Sequence, residues 1–315
     1  MSNTTNLSYQ FYSLLWRQRW LRKLLGKTLY KQICKHGPAP DAAFSADFFG
    51  IEYEGNLQNT IEFSIYYYGA FEKPLLFFLR DCICALSKQN TVFLDVGANI
   101  GQHSLFMSRN VAQVHAFEPY QKVRDRLLHH VALNQIQNLH VYDVGLSDKY
   151  ETLDFYAPTG RNEGIGSFDA ETTSKGNRNI GQLALVKGDD FLQKQGIQHV
   201  DLIKIDVEGF EKSVLNGLRD TLDQHRPIVV VEITYGKSLS LGSMDELQGL
   251  FPRDYEFFTF DTRKPDGSKA RRQGARAKRS GLYRLIPFRF LLQSGQDDVV
   301  CCPREEINKL PLKNL

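Results

Sequence analysis

Short apolar runs alternate with longer amphipathic segments through the middle of the chain. The apolar runs have the length of strands and cover residues 92–96, 114–117, 140–144, 202–206 and 228–233. The segments between them repeat apolar side chains at helical spacing and cover residues 104–109, 122–134 and 211–222. This alternation predicts an α/β fold whose parallel sheet is covered by helices on both faces.

Further segments of β-forming composition flank this alternation. Before it, Phe48 to Tyr53 and Ile61 to Tyr67 predict strands, and Glu72 to Leu86 has helical periodicity. Within it, residues 153–157 and 183–187 flank a polar excursion. After it, the strand-like segments are residues 255–261, 282–286 and 298–302. These last segments predict that an antiparallel C-terminal hairpin closes the sheet.

The pattern divides the chain into four regions. They are an N-terminal helical extension (1–45), a cap of strands and helix (46–90), a central domain (91–302) and a C-terminal tail (303–315). Within the central domain, residues 263–279 hold eight basic residues, one acid and almost no large apolar side chain. Because such a composition cannot bury a core, it predicts a mobile basic loop over residues 263–280.

Two basic segments raise the question of a charged partner. Residues 7–35 combine helical apolar spacing with basic residues and two tryptophans, Trp16 and Trp20, which is typical of helices that lie on anionic membranes. The same pattern also fits a helix packed on its own domain with a solvated basic face. The run 263–279 is either solvated or binds an acidic glycan or a glycolipid phosphate. A net charge of +3 and a basic loop without interleaved aromatics do not favour a nucleic-acid partner.

Cysteine content and hydropathy bear on the compartment. The five cysteines are odd in number, and Cys82 and Cys84 are too close together for the usual zinc knuckle. No apolar run reaches the ~18 residues of a membrane span, and the N-terminus lacks the order of a signal peptide. We therefore expect reduced cysteines in a cytoplasmic protein, with peripheral attachment to the inner face of the membrane as an open alternative.

A glycine-containing turn follows the first central strand at Asp95-Val-Gly97-Ala-Asn99-Ile-Gly101. Glycine lets a ligand approach the backbone, and ligands of open α/β sheets bind at the carboxyl ends of the strands. A dinucleotide fingerprint would need glycine where Asn99 and Gln102 stand. An acid ahead of the turn also suits the ammonium and sulfonium of S-adenosylmethionine (SAM) better than it suits a pyrophosphate. The turn therefore predicts SAM binding through Asp95, Gly97, Asn99 and Gly101.

Acids also end the strands that follow. Glu118 lies 23 residues after the start of that turn, where an acid can accept hydrogen bonds from both hydroxyls of a ribose. Asp143 ends the third strand and either meets the exocyclic amine of adenine or caps the next turn. Asp206 and Glu208 follow the fourth strand, where the methyl-donor end of the pocket is expected. They could position the SAM ammonium, act as a general base, hold a divalent cation, or only cap the helix that begins near Phe210.

Several motifs in order carry a resemblance to a known family. They are Asp95-Val-Gly-Ala-Asn-Ile-Gly101, Ala116-Phe-Glu-Pro119, Leu146-Ser-Asp148 and Lys204-Ile-Asp-Val-Glu-Gly209, flanked by Tyr68-Gly-Ala-Phe-Glu72 and Val231-Glu-Ile233. Over about residues 60–300 the chain resembles the FkbM methyltransferases. The resemblance implies a Rossmann-like class I methyltransferase fold with seven core strands. It also implies an O-methyltransferase that acts on a hydroxyl, often of a sugar or a polyketide-derived product.

A sugar hydroxyl is a weak nucleophile at neutral pH, so a base would assist the transfer. The candidates are Asp206, Glu208, His103 at the start of the first central helix, and Glu72 at the start of the segment 72–86. His103 could instead be a buried or helix-capping histidine. Asp206, Glu208 and Glu232 could together bind a cation, but nothing in their spacing requires one, and we predict an enzyme that needs no metal.

Two other functions stay open from the sequence. A methyltransferase of RNA or protein would dock through the basic segments, although the Asn-Pro-Pro-Tyr-type segment that signals attack by an amino nitrogen is absent after the fourth strand. A noncatalytic SAM-binding scaffold would attach to membranes through residues 7–35. Both alternatives keep the SAM site and differ in what the basic segments contact.

Overall fold

The computed structural model describes residues 3–158, 166–168, 170, 173, 176–236, 241–264, 267–292 and 294–314. The chain divides into two units, of which the first covers residues 1–71 and the second begins at Glu72. Residues 265 and 266 of the basic run lie outside the described residues.

The first unit contains two consecutive helices, a β-hairpin and a third helix. The one predicted N-terminal helix is in fact two, because the backbone at Gln18 is extended and interrupts it. Trp16, Leu29 and Ile33 are buried in the core of this unit. Its elements are α1 (Asn3–Arg17), α2 (Arg19–His36), β1 (Ala43–Phe48), β2 (Ile51–Asn56) and α3 (Thr60–Tyr68).

The predicted strand from Ile61 to Tyr67 is wrong, since these residues lie in helix α3. The Asn59 side chain caps this helix by accepting the N–H groups of Ile61 at 2.8 Å and Glu62 at 3.3 Å. Gly69 ends the helix in the left-handed conformation, with φ 85°. The two caps, and the hydrogen bonds that buried Glu62 accepts from Tyr53 Oη and the Asn56 N–H, outweigh the β-forming composition, because strand propensity depends strongly on context.

The second unit alternates strands and helices as the sequence predicts. Its one long predicted helix over residues 211–222 is interrupted at Leu218 and forms two shorter helices. The helices are α4 (Lys73–Leu86), α5 (Gln102–Ser108), α6 (Gln121–Leu133), α7 (Gly188–Lys194), α8 (Glu211–Gly217), α9 (Arg219–His225), α10 (Met244–Gly249), α11 (Arg271–Ser280) and a 3₁₀ helix (Arg304–Lys309). The strands are β3 (Val92–Val96), β4 (Gln113–Phe117), β5 (Leu139–Tyr142), β6 (Gly145–Ser147), β7 (Glu151–Pro158), β8 (Asn177–Lys187), β9 (Leu202–Ile205), β10 (Ile228–Tyr235), β11 (Tyr255–Phe260), β12 (Leu285–Pro287) and β13 (Gly295–Pro303).

Within the described residues, the main sheet has eight strands in the order β12-β11-β13-β10-β9-β3-β4-β5. The five strands from β10 to β5 are parallel, which confirms the predicted α/β sheet. The predicted C-terminal hairpin differs in detail, because β13 inserts between β10 and β11 and is antiparallel to both. The predicted number of seven strands is one short, because the three-residue strand β12 pairs with the edge of β11.

The excursion after β5 builds a sheet of its own, in the order β6-β8-β7. Strands β7 and β8 contain the two strand-like segments that the sequence places there. The chain then returns through α7 to β9 at the centre of the main sheet. The buried side chains of β3, β9, β10 and β13 form one apolar core around that centre.

The predicted basic loop is wrong for Arg271–Ser280, which form helix α11. Its arginines are exposed, while the small residues Gly274 and Ala277 lie on the partly covered face. Gly281 ends the helix with φ 77°, and a Cβ there would lie 2.4 Å from the ring of Phe77 in α4. Arginine, glutamine and alanine favour helix, and the small side chains let α11 approach α4 closely, so the segment orders without a large apolar residue.

Candidate functional site

Four neighbouring strands place a row of charged side chains near the carboxyl end of the parallel sheet. Asp95 of β3 lies directly opposite Lys204 of β9, and Glu232 of β10 lies directly opposite Asp298 of β13. Directly opposed residues point to the same face of a sheet, so each pair shares one face. Asp206 follows β9, and its carboxylate lies 3.2 Å from Lys204 Nζ. The same ammonium lies 3.9 Å from Asp95 Oδ1 and therefore compensates two carboxylates.

The turn after β3 is held tightly against the neighbouring strands. Gly97 and Ala98 donate their N–H groups to the carbonyl of Phe117 at the end of β4. Gly97 has φ 82°, and a Cβ there would lie 1.9 Å from the carbonyl oxygen of Asp206. Asn99 also has a positive φ of 54°, which is uncommon outside glycine and more frequent for asparagine than for most residues. The turn therefore needs glycine at position 97 for two separate reasons, its backbone conformation and its closeness to β9.

Asp95 is fully buried below this turn. Its Oδ2 accepts a hydrogen bond from Ser104 Oγ at 2.5 Å, and its Oδ1 has no hydrogen-bond partner among the described residues. Burial raises the pKa of Asp95, while the charge of Lys204 and the Ser104 hydrogen bond oppose the rise. An unpaired buried acceptor is costly, and such groups concentrate at functional sites.

Glu118 joins the end of β4 to the turn. Its two carboxylate oxygens accept the N–H groups of Asn99 at 2.8 Å and Tyr120 at 2.9 Å. Burial raises the pKa of Glu118 to about 7, although both backbone hydrogen bonds oppose the rise. A carboxylate oxygen has more than one acceptor position, so both oxygens can still accept a ligand hydroxyl. The structure thus brings together two residues, Asn99 and Glu118, that the sequence assigned to one site.

Asp143 lies directly after β5, the next strand along the same sheet edge. Its side chain is exposed. Its position agrees with an adenine contact, and its role stays a prediction.

Glu208 has a positive φ of 54° in the short segment between β9 and α8. One carboxylate oxygen each from Asp206, Glu208 and Glu232 lies within 4.8 Å of the others, a spacing that could hold a cation. However, Lys204 already pairs with Asp206. Phe210, the residue that precedes α8, makes no side-chain cap. Glu211, the first residue of α8, accepts the N–H of Gly209 at 2.8 Å.

His103 and Glu72, which are far apart in sequence, lie together. His103 Nε2 is 3.7 Å from Glu72 Oε2 and has no hydrogen-bond partner within the part of the chain that the structure describes. Burial, together with the charge of Lys204, lowers the pKa of His103 well below its usual value. Burial and the charges of Asp298 and Asp206 raise the pKa of Glu72 well above its usual value. At neutral pH the imidazole of His103 is therefore uncharged.

A cavity of about 400 Å³ lies beside this row of charges. Glu72, Glu232 and Asp298 line it together with Lys269 and Arg271 from the basic segment. Burial raises the pKa of both Glu232 and Asp298, and the charge of Asp206 raises each further. The acids therefore repel one another when ionised and favour a bound group that donates hydrogen bonds or carries positive charge.

Sequence reasoning did not single out Asp298, Lys204 or Lys269. Lys204 begins the Lys204–Gly209 motif and stands two residues before Asp206. Residues two apart in a strand share a face, so this spacing could have indicated that Lys204 lies beside Asp206. Asp298 stands at the start of an apolar run, but its partner Glu232 is set by strand register. Lys269 carried no signal, because its segment had the composition of a loop.

The comparisons with known proteins show the family of the chain. The model of the FkbM methyltransferase domain matches residues 95–257, just over half of the chain. The chain belongs to the FkbM methyltransferase family. The match begins at Asp95 and includes Glu118, Asp206 and Glu232, so the conserved-domain region of this FkbM protein contains the central part of the site.

Three curated relatives are similar over part of the chain. The AMB antimetabolite synthetase AmbE of Pseudomonas aeruginosa is 30% identical in an alignment of 199 positions that covers 52% of this chain and 9% of AmbE. The 2-O-methyltransferase NoeI of Sinorhizobium fredii is 25% identical over 161 residues, 47% of this chain and 65% of NoeI. The hexuronic acid methyltransferase AglP of Haloferax volcanii is 31% identical over 153 residues, 48% of this chain and 59% of AglP. The chain thus spans less than two thirds of each of these relatives.

Proposed function

We propose that this FkbM protein is a SAM-dependent O-methyltransferase that methylates a hydroxyl of a sugar, a glycan or a related secondary metabolite. The observation that carries the proposal is the joining of Glu118 to the Asp95–Gly101 turn, at the same sheet edge as an acid-lined cavity. The names of NoeI and AglP support a sugar hydroxyl as the acceptor.

The residues at the turn fit SAM better than a phosphate-bearing cofactor. Glu118 can accept hydrogen bonds from two neighbouring ribose hydroxyls, since each of its oxygens is already oriented by a backbone N–H. Asp95 and Asp206 supply negative charge for an ammonium or a sulfonium, and they would repel a pyrophosphate. When bound, SAM would supply an activated methyl group on its sulfonium.

The acceptor hydroxyl is proposed to bind in the cavity lined by Glu72, Glu232 and Asp298. Carboxyl groups orient sugar hydroxyls by hydrogen bonds, and alignment of acceptor and methyl is a large part of catalysis when the donor is already activated. His103 is proposed as the general base, because its imidazole is uncharged at neutral pH and its Nε2 lies 3.7 Å from the carboxyl group of Glu72, which lines the cavity. Asp206, held by Lys204, is proposed to position the donor, and Glu208 to orient the acceptor beside it.

Binding and transfer can be tested separately. Calorimetry with SAM should show binding to the wild type and loss of binding in Glu118→Ala, which removes both proposed ribose contacts. Transfer from SAM carrying a deuterated methyl group to a panel of glycosides and oligosaccharides, followed by mass spectrometry, should show a labelled O-methyl product. SAM binding without transfer to any hydroxyl, or transfer to RNA or protein instead, would contradict the proposed function.

The proposed base has a matched control on the protein surface. We expect His103→Gln to reduce transfer by about 10²–10⁴-fold while SAM binding is retained, since general-base catalysis contributes that much. His129, an exposed histidine on α6, provides the control, and His129→Gln should leave transfer unchanged. Equal rates in the two variants would remove His103 from the mechanism.

A further inference from the structure

The N-terminal region is one of the two strongly basic segments of the chain, together with residues 263–279. Residues 1–40 contain seven of the 39 basic residues and none of the 36 acidic ones, so residues 41–315 carry a net charge of −4. All seven basic residues lie in or next to α1 and α2, between Arg17 and Lys35. Several of them, including Arg19 and Lys23, have exposed side chains.

The same two helices expose large apolar side chains. Among the described residues, six of the 14 exposed large hydrophobic side chains fall between positions 7 and 25. On α1, Leu7, Phe11 and Leu14 are 56–66% exposed and follow one another at helical spacing along one stripe. On α2, Trp20 is 66% exposed and Leu24, four residues later, is 76% exposed. Contiguous apolar stripes of this kind usually mark an interaction site.

The first unit does not need these side chains for its own core. Other faces of α1 and α2 supply that core, in which Trp16, Leu29, Tyr30 and Ile33 are buried. Tyr30 also donates a hydrogen bond to the carbonyl of Leu57 at 2.8 Å, which ties α2 to the end of the β-hairpin. Each of the two helices therefore packs one face against its own unit and leaves an apolar stripe exposed.

We propose that α1 and α2 dock on an anionic phospholipid surface. Arg19 and Lys23 stand one position before Trp20 and Leu24, so on α2 a cationic stripe runs beside an apolar stripe. Apolar side chains of such a helix insert at the boundary of headgroups and acyl chains, tryptophan favours that depth, and the cations bind lipid phosphates. The proposed attachment is peripheral. No helix among the described residues is long and apolar enough to cross a membrane.

Two other kinds of partner fit the exposed stripes of α1 and α2 less well than a lipid surface. If the same segment of a second copy docked here, its seven cations would repel the seven of the first copy, because residues 1–40 contain no acid. A nucleic acid would be attracted by the cations, but it gives no environment for Leu7, Leu14 and Leu24. A lipid surface satisfies both the charge and the apolar area.

The proposal is tested by sedimentation of the full chain with phosphatidylcholine vesicles, with and without phosphatidylserine. We expect binding only to the vesicles that contain phosphatidylserine, and weaker binding as salt increases. Trp20→Ser with Leu24→Ser should weaken binding about tenfold or more, and Arg19→Gln with Lys23→Gln should do the same, since each basic residue contributes about a fivefold increase in affinity. The fluorescence of the wild type should shift to shorter wavelength on binding, and the shift should be absent in Trp20→Phe.

Matched variants in the second unit serve as controls. Leu128→Ser removes an exposed apolar side chain from α6, and Arg271→Gln with Arg272→Gln removes two exposed charges from α11. We expect both to bind vesicles as the wild type does, and circular dichroism checks that every variant is folded. The proposal is overturned by equal binding of the α2 variants and the wild type, by loss of binding in the α11 variant alone, or by no vesicle binding. Dimerisation or RNA binding that depends on Leu24, without vesicle binding, would also overturn it.

Discussion

Replacement of Gly97 by alanine tests how closely the cofactor turn is built against β9. Gly97 has φ 82°, and the left-handed conformation costs a residue with a Cβ roughly 1–2 kcal/mol. The new Cβ would also lie 1.9 Å from the carbonyl oxygen of Asp206, and relief of such overlap costs about 1–3 kcal/mol. We expect Gly97→Ala to lower the free energy of unfolding by about 2–5 kcal/mol and to abolish SAM binding, because the shift moves Asp206.

Two control glycines separate these contributions. Gly196 has φ 72° with no atom within 4 Å of its Cβ position, so Gly196→Ala should cost only the conformational ~1–2 kcal/mol. A Cβ at Gly217 would lie 1.8 Å from the carbonyl oxygen of Ser147 without a positive φ, so Gly217→Ala isolates the overlap. Urea unfolding should be followed by far-ultraviolet circular dichroism, because both tryptophans, Trp16 and Trp20, lie in the first unit. If Gly97→Ala costs no more than Gly196→Ala and still binds SAM, the close contact with Asp206 is refuted.

The remaining predictions concern charge, metal and thiols. Burial raises the pKa of Glu118 to about 7, so SAM binding that needs its carboxylate should weaken about tenfold per pH unit below 7, and calorimetry that shows no such change would contradict the ribose role. The same raised pKa favours the protonated folded form, so the contribution of Glu118 to stability should be greatest below about pH 4.5 and be lost as pH rises through 7, a slope that Glu118→Gln should remove in urea unfolding. Methyl transfer should survive a strong chelator, whereas loss that magnesium restores would place a cation at Asp206, Glu208 and Glu232. All five cysteines are free. A thiol-reactive aromatic disulfide should modify exposed Cys84 quickly, and it should modify the buried Cys82, Cys301 and Cys302 only after unfolding. Rapid reaction of all five thiols in the folded protein would contradict this burial.

The sequence alone determined the parallel part of the main sheet and which residues form the turn from Asp95 to Gly101, where the cofactor is proposed to bind. Strands β3, β4, β5, β9 and β10 follow from apolar runs between amphipathic helices, because both signals are local. The turn from Asp95 to Gly101 and the acid at Glu118 are local as well, since each follows directly from the end of a strand. Ligands of open α/β sheets bind at that edge, so the end of each strand already indicated the site.

Only the tertiary structure decided which distant groups meet. The approach of His103 to Glu72 and the pairing of Glu232 with Asp298 depend on helix packing and strand register, which no local pattern contains. The tertiary structure also decided that α3 is a helix despite its β-forming composition, and that α11 is a helix despite its loop-like composition. Caps and close contacts stabilise these helices by free energy that propensity alone does not include. The sequence therefore specified the proposed cofactor side of the site, and the fold specified the proposed acceptor side.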